Sequence, residues 1–194
     1  MPRALKPSEA PEIRLDYDDY ARLPNDGRRY EIIKGDIHMA PAPLSGHQWF
    51  LANLLEVLRA HAKRTRTGLV LPAPVDVILS AHDIVQPDIV LVRRERMSIV
   101  KARGIEGSPD LVVEILSPSN EDHDRRTKLR VYEHHAVPHY WIADLRRREV
   151  EEHVRQRGRL RLRRLWKEGD RMKPAAMTGL AIPLAPLWPP AELV

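Results

Sequence analysis

An α/β fold with a mixed central β-sheet flanked by helices is the class that this 194-residue sequence predicts. Three observations carry it. Short runs of Val, Ile and Leu are bounded by proline, glycine or charge, two stretches place apolar residues at helical spacing, and the two kinds of segment interleave along the chain. The length suits one domain that can bury a core without disulfides.

Taken in order, residues 1–16 contain Pro2, Pro7 and Pro11 and little apolar content, and are expected to form a flexible arm ahead of a single domain over 17–194. A short helix or turn follows at Tyr17–Leu23. Arg29–Met39 reads as a β-hairpin with Lys34-Gly35-Asp36 as its turn signal. Pro41, Pro43 and Gly46 then break the chain. Leu51, Leu54, Leu55 and Leu58 recur at three- and four-residue spacings, which makes His47–Arg64 an amphipathic helix with Ser45 as a candidate cap. Leu69–Leu79, Val85–Val92 and Leu111–Leu116 are extended segments whose near-continuous apolar character places them centrally in a sheet. Asp122–His135 reads as a second helix with Leu129, Tyr132 and Ala136 on one face, stopped by Val137-Pro138. His139–Ala143 returns as a strand. Arg146–Lys173 is a charged hairpin around Arg157-Gly158, and proline-rich residues 183–190 close the chain. The hairpins at the two ends are expected as additions to the central sheet.

Lys and Arg total 32 against 27 Asp and Glu, giving a net charge of +5 and a sequence pI near 9.7, a balance compatible with a polyanionic partner. Cysteine is absent. Disulfides, thiolate zinc sites and thiol nucleophiles are therefore excluded, and any metal must sit on oxygen or imidazole. With no hydrophobic signal region and no apolar run of membrane length, the expectation is a cytoplasmic protein without a membrane partner. Glycine-rich phosphate loops and Gly-x-Ser-x-Gly elbows are missing, which counts against nucleotide switches and serine hydrolases.

Three acids interrupt strongly apolar segments: Glu31, Asp88 and Glu114. A buried ionised carboxylate needs a partner, because desolvation costs several kcal/mol or forces protonation. That partner can be a basic side chain or a shared cation. Mg²⁺ takes oxygen ligands and is held by one or two carboxylates with water and substrate phosphate. If the strands of Asp88 and Glu114 are neighbours, about 4.8 Å apart, both side chains reach one ion. Asp110 is the rival, but on the strand of Glu114 it would stand about 13 Å away, too far to share an ion directly.

The fragments Tyr30-Glu31-Ile32-Ile33-Lys34-Gly35, His47 opening a helix, Gln86-Pro87-Asp88, Pro109-Asp-Leu-Val-Val-Glu114-Ile-Leu-Ser-Pro-Ser119, Asp124…Lys128-Leu129…Tyr132 and Val137-Pro-His-Tyr-Trp-Ile-Ala-Asp144 together resemble the Uma-two family of PD-(D/E)XK restriction-endonuclease-like proteins, from about Tyr17 to about Val154. The resemblance implies a restriction-endonuclease-like core and metal-dependent hydrolysis of phosphodiester bonds in nucleic acid, DNA first. It further implies Mg²⁺ or Mn²⁺ on Asp88, Glu114 and the backbone carbonyl of Ile115. It also brings Glu31 forward as a catalytic acid near the metal, against the plainer reading of Glu31 as a partner of Arg28 or Arg29.

The sequence departs from the family's pattern where a lysine is due two residues after Glu114, on the same strand face, because that position is Leu116. A leucine cannot stabilise a pentavalent phosphorane. Either activity is lost or another cation substitutes, and Lys128 is the candidate. Asp124, Lys128 and Tyr132 are four residues apart and share a helix stripe, which read alone is an ordinary surface ion pair. His47 is read as a contact to substrate or water, or as a local hydrogen-bonding group. His134 and His135 point apart on a helix and offer no paired metal ligands. Arg157, Arg159, Arg161 and Arg163 alternate, forming a stripe that could follow a phosphate backbone, with Arg159 and Arg161 as substrate contacts, or could protect an edge strand. Trp141 and Trp166 are read as packing residues. The alternatives to an endonuclease are a non-enzymatic nucleic-acid-binding or protein-interaction module on a degenerate nuclease fold, and a hydrolase of small phosphorylated molecules. A homodimer is expected by analogy with nucleases that cut both strands.

Overall fold

The computed structural model describes residues 14–24, 26–40, 42–117, 121 and 123–193. Most of the expected arm, and Pro41, Ser119 and Asp122, lie outside the described residues. In chain order the elements are α1 (Tyr17–Tyr20), β1 (Arg29–Ile33), β2 (Asp36–Ala40), α2 (Ser45–Thr65), β3 (Gly68–Pro72), β4 (Val77–Ser80), β5 (Asp83–Val85) and β6 (Ile89–Arg93). A 3-10 segment, Arg94–Ile99, leads to β7 (Val100–Lys101), β8 (Gly104–Glu106) and β9 (Leu111–Ile115). A π-helical turn, His123–Lys128, runs into α3 (Leu129–His134). Then come β10 (His139–Asp144), β11 (Glu149–Gln156), β12 (Arg159–Lys167) and the small pair β13 (Arg171–Met172) and β14 (Ile182–Pro183).

The α/β class holds, with two six-stranded sheets where one was expected. One sheet has the order β2-β1-β5-β4-β8-β7 and the other β12-β11-β10-β9-β6-β3. The N-terminal hairpin is thus the edge of a full sheet and not an appendage. The expected strand Leu69–Leu79 is two strands in different sheets, split where residues 73–76 leave the β conformation around Pro74. Val85–Val92 is likewise divided between β5 and β6 at Gln86-Pro87. Proline cannot donate to a ladder, so both crossings fall where it stands. Residues 14–16 also depart from the expected arm: the Leu15 N–H donates to the Gly35 carbonyl at 3.0 Å, and Asp16 caps α1 through the Asp18 and Asp19 amides.

The second sheet is the wall on which the site is built. One face presents Ile89, Leu91, Leu111, Val113 and Trp141 to Phe50, Leu54 and Leu58 of α2 and to Leu184, Leu187 and Trp188 of the tail. The other buries Val90, Val112, Tyr140 and Ile142 against Val131 and Tyr132 of α3 and against Ile33, Val77, Val85 and Ile105 of the first sheet. Each fully buried large apolar side chain contributes about 1.5–3 kcal/mol, so this two-sided packing fixes the central strands β6, β9 and β10. α2 forms because Phe50, Leu54, Leu58 and Ala62 recur on its buried face. Ser45 does not cap it: Leu44 occupies the cap position, without a side-chain bond.

Trp141 and Trp166 are buried, as packing residues would be. The arginine stripe is broken. A β-bulge at Glu152/His153 pairs Glu152 with Arg164 and His153 with Leu162, leaving Arg163 out of step, its guanidinium on Glu152 at 2.8 Å. Arg157 sits in the turn at φ 49°. Of the four alternating arginines, all exposed, Arg159 and Arg161 keep the strand's alternation on β12.

Candidate active site

The β6–β9 ladder pairs Ile89 with Val113 and Val90 with Val112, antiparallel. Its next rung sets Asp88 opposite Glu114, where facing Cβ atoms stand about 4.5–5.5 Å apart. Both side chains share the sheet face of Val90 and Val112. The Ile115 N–H donates to Asp88 Oδ2 at 2.8 Å, and His47 Nε2 from α2 lies 3.0 Å from the same oxygen. Arg29 Nη1 approaches Asp88 Oδ1 at 3.4 Å.

Lys128 projects onto this pair from the π-helical turn. Its Nζ stands 3.0 Å from Glu114 Oε1, 3.0 Å from Glu31 Oε1 and 3.6 Å from Asp124 Oδ1. The Tyr132 hydroxyl donates to Glu114 Oε1 at 2.7 Å, and the Gln86 N–H donates to Glu31 Oε1 at 2.8 Å. Leu116, two residues beyond Glu114, joins the apolar cluster under α3. The positive charge absent from the strand thus stands beside Glu114 on a neighbouring helix. The π-helical turn carries Asp124 and Lys128 on its buried side, and α3 continues the stripe with Tyr132.

The four carboxylates and Lys128 are each at most 6% exposed. Four acids against Lys128 and the half-buried Arg29 leave a negative excess where water cannot screen it. Burial pushes the Glu114 carboxyl well above its usual range, and the charges of Asp124, Asp88 and Glu31 add to this against the pull of Lys128. Burial likewise raises Asp124 to about 6. Burial also acts to raise Asp88, but the His47 bond, the Ile115 amide and Lys128 outweigh it and hold Asp88 below the ordinary value. Lys128 is kept charged, its pKa well above normal, because its carboxylates outweigh the effect of burial.

This donor set suits a hard divalent cation, since it offers oxygen ligands in negative excess. Asp124 Oδ1 is buried without a hydrogen bond, as is His47 Nδ1. Among the described residues, three or more His, Asp or Glu side chains do not converge as a ready-made cage. Mg²⁺ sites built from two carboxylates, a carbonyl and water do not need one. The cavity holds about 30 Å³, and an outer cleft of about 230 Å³ adjoins it through Arg29, Ala42, Pro43 and Asp88.

Of the residues singled out in the sequence, Asp88, Glu114, Ile115, Lys128, Glu31 and His47 all line this cavity. Arg159 and Arg161 do not. Glu31 takes Lys128 as its partner; Arg28 and Arg29 pair elsewhere. Asp110 is a structural anchor, accepting from the Arg93 amide at 2.8 Å and from Arg96 at 3.1 Å. Sequence reasoning offered Arg29 only as a possible partner of Glu31 and gave Gln86, Asp124 and Tyr132 no role of their own. Arg29 was available from strand alternation with Glu31, and the other three from their positions in quoted motifs.

The family model described as "Uma2: Putative restriction endonuclease" matches residues 17–185. In three dimensions the chain is similar to a crystal structure described as "a putative nuclease belonging to DUF820" from Anabaena variabilis ATCC 29413, with a TM-score of 0.73 and 20% identity over 89% of this chain and 97% of that one. At that identity the likeness shows the fold. No curated protein matches the chain. Among the described residues, no helix is long and apolar enough to cross a membrane.

Proposed function

Since the chain belongs to the Uma2 family, we propose that it is a metal-dependent nuclease hydrolysing phosphodiester bonds of nucleic acid, with DNA as the first substrate to test. The observation that carries this reading is Lys128 Nζ at 3.0 Å from Glu114, on the rung that faces Asp88. A structural ion pair would need one acid for one lysine. Here one buried lysine serves three, and Asp88 stands beside them.

Asp88, Glu114 and the Ile115 carbonyl would hold Mg²⁺ or Mn²⁺, which supplies a water acidic enough to attack near neutral pH and charge to offset the phosphate. The other roles belong to the chain. Ile115 and His47 fix Asp88 by two bonds to Oδ2. Lys128, held protonated, places its charge where the phosphoryl oxygens become more negative, the kind of electrostatic support that is worth several kcal/mol. It is not a base. Glu31 positions Lys128 and is itself positioned by the Gln86 amide. Arg29, on the wall shared by the cavity and the outer cleft, can bind a phosphate oxygen as the diester enters. His47 would contact water or substrate at the cavity wall, and Arg159 and Arg161 would contact the backbone farther along the strand.

Cutting both strands of a duplex would call for a symmetric homodimer, which sedimentation tests. The test of the activity itself is cleavage of labelled DNA and RNA with Mg²⁺, Mn²⁺ or EDTA by the wild type and Asp88→Ala. A folded, metal-loaded protein that binds nucleic acid and never cuts it would favour the non-enzymatic module instead.

A further inference from the structure

We propose that the open groove between the β1–β2 turn, α3 and the β11–β12 hairpin is an exosite for the phosphodiester backbone of the nucleic acid; this rests on the nuclease reading above. The groove has a volume of about 670 Å³ and is lined by Lys34, Arg130, Arg155 and Arg159. It shares no lining residue with the catalytic cavity.

The groove's two acids are committed to the protein. Asp83 accepts from the Lys34 amide at 2.8 Å and the Ser80 hydroxyl at 3.0 Å, and pairs with His135 Nε2 at 2.8 Å. Glu133 accepts the Leu160 N–H at 2.8 Å. Its carboxylate lies 3.8 Å from Arg159, which is 71% exposed and loosely held. Lys34 and Arg130 are exposed, and among the described residues neither has an acid within ion-pair distance. Arg155 donates one N–H to the Glu133 carbonyl at 2.7 Å. The groove therefore presents cations that the fold itself does not neutralise.

Their arrangement names the ligand. The four cations come from four separate elements, the β1–β2 turn, α3, β11 and β12, and line one open groove. A compact phosphate is held by donors that converge on a point, whereas a strand of nucleic acid offers a charge at every nucleotide and suits a line of cations. α3 separates the two sites: Lys128 is buried on the catalytic side and Arg130, two residues on, is exposed in the groove.

The test uses the full chain and the double substitution Lys34→Gln with Arg130→Gln. Binding of long labelled oligonucleotides is measured by anisotropy in EDTA across a salt series, and cleavage is compared on a long strand and on a dinucleotide. We expect about tenfold weaker binding of the long strand and a log-log salt slope shallower by about two units, one for each lost phosphate contact. Cleavage of the long strand falls in proportion, while the dinucleotide is cut at the wild-type rate. Unchanged affinity and slope, beside a wild type that binds and cuts, would overturn the exosite and leave the nuclease reading standing. Equal losses on long and short substrates would overturn its separateness from the catalytic cavity. A wild type that neither binds nor cuts would overturn the nuclease reading and the exosite with it.

Discussion

Replacing Lys128 with methionine removes one buried ammonium from contact with Glu114 and Glu31 at 3.0 Å and Asp124 at 3.6 Å. Breaking a buried pair costs roughly 3–5 kcal/mol, because the acids left behind are uncompensated. Glu114 already tends to hold a proton, and protonation relieves part of the cost, so the loss should be about 3 kcal/mol at neutral pH. It should shrink below about pH 6, where Asp124 takes up its proton as well. Burial of Lys128 among three acids thus makes the change costly to folding as well as to chemistry. On the chemistry, loss of the charge should lower cleavage at saturating metal by about a hundredfold, or about 2.7 kcal/mol. Denaturation by urea gives the first number, and single-turnover cleavage at a temperature where the variant is folded gives the second. Adding Leu116→Lys to Lys128→Met returns a cation to the same strand face, two residues from Glu114, and should recover about tenfold of the lost rate. A folded Lys128→Met protein that cuts as fast as wild type, while Asp88→Ala is dead, would refute the displaced-lysine argument.

Other outcomes follow from the same geometry. Mg²⁺ or Mn²⁺ should raise the melting temperature, and by more at pH 7.5 than at pH 5.5. Asp124 and Glu114 hold protons more tightly folded than unfolded, so the bare protein loses that stabilisation as pH rises through about 6 and the cation replaces it. Asp88→Asn and Glu114→Gln should abolish the metal-dependent shift, and a full shift in either would remove that residue from the ligand set. Burial acts to raise Asp83, but its bonds from His135, Lys34 and Ser80 outweigh this and lower it to about 2. Its contribution is therefore present above about pH 4 and lost as pH falls toward 2; after screening it is about 1 kcal/mol. Asp83→Asn should flatten the acid limb of a stability-pH curve by that amount, and an unchanged limb would discount the pair. Arg159→Gln with Arg161→Gln should weaken nucleic-acid binding and reduce its salt slope; an unchanged slope would return β12 to ordinary solvated surface.

The sequence revealed the acids because burial leaves a mark: Asp88 and Glu114 stand where a central strand should be uniformly apolar. Spacing alone did not single out Lys128, since a helical i, i+4 pattern reads the same on a surface as over a cavity; the family resemblance brought it forward. What was illegible depends on tertiary partners. An apolar run has the same look in either sheet, so nothing in Leu69–Leu79 or Val85–Val92 announced that each divides between two. The bulge that displaces Arg163 is set by the pairing of β11 with β12, which strand alternation cannot reveal. The proline-rich tail gave no sign of a core role, yet Leu184, Leu187 and Trp188 close the core over α2, because three apolar residues in an irregular segment carry no period.

The central claim is tested most directly by incubating the purified wild-type chain and Asp88→Ala with labelled single- and double-stranded DNA and RNA, in Mg²⁺, Mn²⁺ or EDTA. The account expects cleavage of at least one nucleic-acid form with metal, none in EDTA, and none by Asp88→Ala. A folded wild-type protein that binds metal and leaves every form intact, or cleavage that persists in EDTA or in Asp88→Ala, would contradict it.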